Sequence, residues 1–164
     1  MGIVSDTQRH PFPRYRLSAW TFLLACLVSV QAQVRTNSQA KFSDLKPFVG
    51  TWKGEYKGQV FAILILHMDG EKLAGTLSTA ETINLDSDGD IREVEGEATE
   101  ANATPVQDAT LTGSSLNFKN KSANDDEIET YTMQLSGDTA GLKPEAAPPS
   151  MKVKPFPLSR VGEP

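Results

Sequence analysis

Val60-Phe61-Ala62-Ile63-Leu64-Ile65-Leu66 is followed, after His67-Met68, by Asp69-Gly70 and then by Lys72 to Ser78, where Leu73 and Leu77 alternate with polar or small neighbours. The first run is rich in β-branched residues and apolar on both faces, which suits a central strand covered on each side. An Asp-Gly pair between two such runs favours a tight corner, because both residues tolerate the positive φ that a two-residue hairpin turn requires. The spacing recurs. Met68-Asp69-Gly70-Glu71-Lys72-Leu73, Leu111-Thr112-Gly113-Ser114-Ser115-Leu116 and Leu135-Ser136-Gly137-Asp138-Thr139-Ala140 each set an apolar residue, a glycine two positions on, and a small or apolar residue three beyond that. Each is expected to be a corner between consecutive antiparallel strands.

Working outward, strands are expected over Thr51–Tyr56, Gln59–His67, Lys72–Thr79, Thr82–Leu85, Ile91–Thr99, Asp108–Leu111, Ser115–Lys119, Glu127–Leu135, Thr139–Leu142 and Met151–Leu158. Ser43 to Phe48 has the composition of one helical turn, capped by Ser43 and stopped by Pro47. No later stretch carries apolar residues at helical spacing. The reading is all-β: an antiparallel up-and-down meander that closes into a small barrel, since closure removes the exposed edges of an open sheet. Glu100 to Val106 and the proline-rich Leu142 to Ser150 are expected as loops at the rim.

The chain's long apolar run, Leu17 to Val30, follows a basic leader (Arg9, Arg14, Arg16) and ends in Val30-Gln31-Ala32, with small residues where signal peptidase requires them. Its 14 residues are fewer than the roughly 20 needed to cross a bilayer. The expected organisation is a signal peptide over 1–32, a flexible tether over 33–42 and one β-barrel domain over 43–164, secreted or periplasmic and with no stable membrane insertion after processing. Cys26 offers a minor alternative, lipidation after cleavage at Leu23-Leu24-Ala25. Cleavage after Ala32 leaves a chain without any thiol, and hence without disulfide or thiolate chemistry.

Removing Arg9, Arg14, Arg16 and Asp6 takes the balance from 16 basic and 21 acidic residues to 13 and 20, a net charge of −7. That disfavours nucleic acid and anionic membrane surfaces as partners, because both recruit basic patches. His67 is the single histidine after the leader. No histidine–cysteine ligand cluster for zinc, copper or iron can form, and a serine–histidine–acid arrangement would rest on a residue within a strand run. Neither a glycine-rich phosphate loop nor a nucleophile elbow is present. Asp125, Asp126, Glu127 and Glu129 form a charge run that is expected to cover an outward face. Asn102-Ala103-Thr104 and Asn120-Lys121-Ser122 are formal glycan acceptors.

Phe48-Val49-Gly50-Thr51-Trp52-Lys53-Gly54, a short turn leading into a Gly-x-Trp strand, resembles the opening of a lipocalin-type (calycin) barrel. The resemblance implies a lipocalin-like barrel in which Trp52 plugs one end and a basic residue near the last strand packs across it. Arg160, in Pro157-Leu158-Ser159-Arg160, is the candidate partner for that packing pair. The segments Phe48 to Gly70 and Pro155 to Arg160 are also similar to small secreted bacterial proteins of unknown function, which implies the fold and export but no activity.

Asn84-Leu85-Asp86-Ser87-Asp88-Gly89-Asp90-Ile91-Arg92-Glu93-Val94-Glu95 matches the twelve-position calcium loop of EF-hands. Asn84, Asp86, Asp88, Asp90 and Glu95 are the candidate oxygen ligands, and Gly89 permits the turn. Calcium is thus the one candidate cofactor. The competing reading is a hairpin that turns at Asp86 to Gly89 and carries an acidic, solvated tip.

The expected function is an exported small barrel holding a small apolar or amphipathic ligand, with Trp52, Phe61, Ile63, Ile65, Tyr131 and Met133 as candidate cavity residues. The alternative is a structural or interaction protein with a packed core, reaching a partner through a strand edge or the proline-rich loop. Catalysis is not expected.

Overall fold

The computed structural model describes residues 42–121, 127–146 and 151–162, all within the compact unit Asn37–Pro164. The expected signal peptide, Cys26, nearly all of the tether, Asp125, Asp126 and the centre of the proline-rich loop lie outside the described residues. Ten strands follow a short helical lead-in: β1 (Gly50–Tyr56), β2 (Gln59–Asp69), β3 (Lys72–Thr79), β4 (Thr82–Leu85), β5 (Ile91–Glu95), β6 (Thr104–Thr112), β7 (Ser115–Lys121), β8 (Ile128–Ser136), β9 (Thr139–Pro144) and β10 (Phe156–Gly162). Eight of them close a barrel in the order β1-β10-β9-β8-β7-β6-β3-β2, while β4 and β5 form a separate two-stranded sheet. The chain is therefore all-β and antiparallel, and its meander is interrupted once, between β3 and β6. Among the described residues no helix is long and apolar enough to cross a membrane.

The lead-in differs from the sequence expectation. A helical turn, Phe42–Leu45, runs directly into a 3-10 turn, Lys46–Phe48, so Pro47 opens the second turn and does not end the first. Ser43 lies within the helix and donates its hydroxyl to Asp44 Oδ1 at 3.1 Å, so it is not a cap. Proline is well placed at the start of a helical turn, where its missing N–H would have no partner anyway.

The interior follows strand alternation. Trp52 of β1, Leu64 and Leu66 of β2, Leu77 of β3, Leu116 and Phe118 of β7, Met133 of β8, Leu142 of β9 and Leu158 of β10 are all essentially inaccessible to solvent. Register carries this face around the sheet: Trp52 stands opposite Leu64, Leu64 opposite Leu77, and Leu116 opposite Met133. Burying a large aliphatic or aromatic side chain contributes about 1.5–3 kcal/mol each, and this stack is the main stabilising feature of the domain.

Two irregularities matter for the site. Between Gly54/Glu55 and Val60/Ala62 the β1–β2 register shifts, so that Phe61 and Ala62 are both buried. The β3–β6 seam is short, with only Thr76↔Pro105 and Leu77↔Thr104 as partners. Proline cannot donate to a ladder. The Asn120 side chain fills in: Nδ2 donates to the carbonyls of Thr104 at 3.0 Å and Pro105 at 3.2 Å, and Oδ1 accepts from Thr104 Oγ1 at 2.9 Å. Asn120 is only 5% exposed and fully engaged, which removes it as a glycan acceptor in the folded protein.

Candidate functional site

The two ends of the barrel are built differently. At the end where β1 begins, the Trp52 indole is 0% exposed and its Nε1 donates to Phe48 O at 2.9 Å. The structure brings Arg160 onto it, with the guanidinium carbon 4.1 Å from the ring centroid. Arg160 Nη2 donates to Pro47 O at 2.6 Å and Nη1 donates to Val49 O. Gly50 leaves room for that guanidinium: at φ 139° it sits where a Cβ would lie 2.7 Å from Arg160 Nη1. Leu45 and Phe48 of the lead-in are buried against the same end. One arginine thus ties the last strand to the turn before the first and lies over the tryptophan, combining charge-assisted hydrogen bonds with a cation–π contact of about 1 kcal/mol.

The opposite end, where β3, β7 and β9 finish, opens into a cavity of about 460 Å³. One wall is apolar: Ala62, Ala80, Leu142, Phe156, Met151 and Val153, with Ile83 and Leu85 contributed by the β4–β5 hairpin. The other wall is polar, formed by Thr104, Asn120, Glu129 and Tyr131. Tyr131 stacks on Phe118 at 5.6 Å between ring centroids and 18° between planes, which fixes the direction of its hydroxyl. The hydroxyl donates to Glu129 Oε2. Burial, and then the neighbouring carboxylate, push the phenol far above its ordinary value, so it remains a donor across the physiological range.

The hairpin is fastened over this end by several contacts. Tyr56 OH donates to Arg92 O at 3.0 Å, Gln59 Nε2 donates to Gly96 O, and the Ala98 N–H donates to Val60 O at 3.0 Å. Ile83 pairs with Val94 and Leu85 with Ile91, so one face of the hairpin is apolar, and these four side chains pack against the barrel core.

The candidate cavity residues from the sequence separate into two groups. Phe61, Tyr131 and Met133 are buried in the core with Trp52, but only Tyr131 lines the cavity. Ile63 and Ile65 lie on the face of β2 opposite to Leu64 and Leu66, are half-buried, and belong to no part of the core cluster. A run apolar on both faces carries no phase, so alternation alone could not say which set faces inward. Glu129 is placed differently from its reading as part of an outward charge run. It falls in phase with Tyr131 and Met133 and faces the cavity. The signal was present in the alternation of Glu129-x-Tyr131-x-Met133. Ala62, Ala80, Thr104 and Asn120 carried no comparable mark.

The acidic segment is a hairpin corner. Asp86 Oδ1 accepts the N–H groups of Asp88 at 2.9 Å and Asp90 at 3.0 Å, and the Gly89 N–H donates to Asp86 O at 3.1 Å. The Asp90 amide, against some desolvation and with help from the Asp88 and Gly89 amides and Lys154, holds the Asp86 carboxyl below its ordinary value. Asp90 Oδ2 meets Lys154 Nζ at 2.6 Å, and Asn84 Nδ2 donates to Glu95 Oε1 at 3.2 Å. Gly89, at φ 86°, packs under the backbone of Lys152 and Lys154, where a Cβ would be 2.7 Å from Lys152 O. Among the described residues no three carboxylate, histidine or cysteine side chains come together as a metal-binding group.

His67 is exposed on the outside of β2. The closed eight-stranded antiparallel barrel agrees with the lipocalin-like shape that the opening motif implied. Compared with protein-family models, with curated proteins and with solved structures, the chain matches none of them.

Proposed function

We propose that this chain is an exported binding protein whose barrel accepts a small apolar or amphipathic ligand at its open end. The observation that carries the reading is the asymmetry of the barrel. One end is filled by Trp52 and Arg160, whereas the other encloses about 460 Å³ between an apolar wall and a few polar groups. That volume and that mixture of linings are typical of small-molecule sites. Export is supported by the basic leader, the short apolar run and the small residues before Gln33. The proposal is one of binding without catalysis. Nucleic acid and anionic membrane surfaces are unfavourable partners at a net charge of −7.

A second reading is favoured by the filled half of the barrel: an interaction protein with a packed core and no ligand. Native mass spectrometry of the purified, processed protein, with titration of an apolar fluorescent dye, separates the two. A co-purified mass or saturable dye uptake that is lost in Ala62→Leu supports the binding reading. No adduct and no dye uptake would leave the packed-core reading in its place.

A further inference from the structure

Two acidic side chains line the cavity, Glu129 on its polar wall and Glu81 at its rim, and none of the described residues that line it is basic. Glu129 belongs to the inward-facing set of β8 and stands opposite Asn120 across the strand pair. Its neighbours there, Asn120 and Thr104, are committed to the β3–β6–β7 seam and bring no charge. The half-buried Glu129 carboxylate accepts a neutral hydrogen bond from Tyr131, which leaves its charge to be met by a positive group. Among the described bases at this end, Lys154 meets Asp90 at 2.6 Å and Lys143 lies 4.0 Å from Glu145, while Lys121 and Lys152 stand outside the cavity lining.

Resting on the binding reading above, we infer that the cavity selects amphiphiles with a cationic head group, a protonated amine or quaternary ammonium on an apolar body, over anionic ones. The head group sits at Glu129 on the Tyr131 side, where the phenol's hydrogen bond holds the carboxylate in place. The apolar body lies along Ala62, Leu142 and Phe156, under Ile83 and Leu85 of the hairpin. An anionic amphiphile would bring its charge against Glu129 with no base among the described lining residues to offset it, and that mismatch sets the preference.

Isothermal titration calorimetry of the processed protein tests this with three single-chain probes below their micelle-forming concentrations: dodecyltrimethylammonium, dodecyl sulfate and dodecyl maltoside. The cationic probe is expected to bind at least about tenfold more tightly than the anionic one, a charge-assisted difference. Glu129→Gln is expected to bring the two within about threefold. Asp69→Asn, an exposed acid at the plugged end, is expected to keep the full preference, which separates a local effect from the net charge. Equal binding of all three probes, tighter binding of the sulfate, or a preference that survives Glu129→Gln would overturn the head-group inference while the cavity remains a binding site. Failure of all three to bind would remove the binding reading itself.

Discussion

The two mouths of this barrel are made from the same alternating strands, yet one is sealed and the other is not. At the sealed mouth the inward positions carry Trp52, Leu64, Leu66 and Arg160, and the lead-in turn supplies carbonyls for both the indole and the guanidinium. At the open mouth Leu142, Phe156 and Tyr131 remain, but other inward positions shrink to Ala62 and Ala80 or turn polar at Asn120 and Glu129. An eight-stranded barrel is just wide enough for its own side chains to fill. A change from large to small residues along the axis is therefore sufficient to create a cavity without a change of topology. The difference teaches that the packed plug and the cavity are assigned to opposite ends.

The harshest way to break that division is Trp52→Ala, which should cost about 3–5 kcal/mol by urea unfolding, since the indole is fully buried and its removal also strands Arg160. A loss below about 1 kcal/mol would mean that the plug is not structural. Next comes Arg160→Lys, expected to lose about 2 kcal/mol because a single ammonium cannot reach Pro47 O and Val49 O together while lying over the ring. Full retention of stability would contradict the forked geometry. Filling the other end sharpens the contrast. Ala62→Leu should abolish dye uptake at a cost of about 1–3 kcal/mol, less than that of Trp52→Ala. A destabilisation as large as that of Trp52→Ala would show that the open end is as tightly packed as the plug.

Smaller effects belong to the hairpin. Because the Asp86 carboxyl titrates lower in the folded protein than in the unfolded chain, its stabilising bonds to the Asp88 and Asp90 amides are fully present above the ordinary value of 3.8. They are lost as the pH falls through the folded value. Acidification should therefore lower the hydrogen-exchange protection factors of β4 and β5, taken relative to the intrinsic rate at each pH, before those of the barrel strands. Simultaneous loss of protection in both would show that the hairpin and barrel open as one unit. Smallest of all, millimolar calcium should leave the exchange rates of this hairpin unchanged, because Asp86 is occupied by amides and Asp90 by Lys154. A clear slowing on addition of calcium would support the metal-loop reading of Asn84 to Glu95.

Legibility varied with how local the cause was. Lys72–Thr79 and Thr82–Leu85 coincide with β3 and β4, because turn residues and alternation bound them on both sides. The strand expected at Asp108 begins instead at Thr104, because side-chain bonds from Asn120 hold Thr104 and Pro105 to their neighbours where the local sequence resembles a loop. The last strand begins at Phe156, not Met151. The residues before it are occupied with the hairpin, as the Lys154 N–H bond to Gly89 O at 3.1 Å shows. Likewise Ile91–Thr99 shortens to Ile91–Glu95, after which the chain leaves the hairpin and returns to the barrel through the Ala98–Val60 bond.

By itself the sequence determined the all-β class, the antiparallel order and the positions of the tight corners, because period-two alternation and glycine turns are properties of a few neighbouring residues. Only the tertiary structure decided which face of β2 looks inward and that β4 and β5 leave the barrel to cover its mouth. Those outcomes depend on register and closure, which join residues far apart in the chain and are set by the packing of the whole interior.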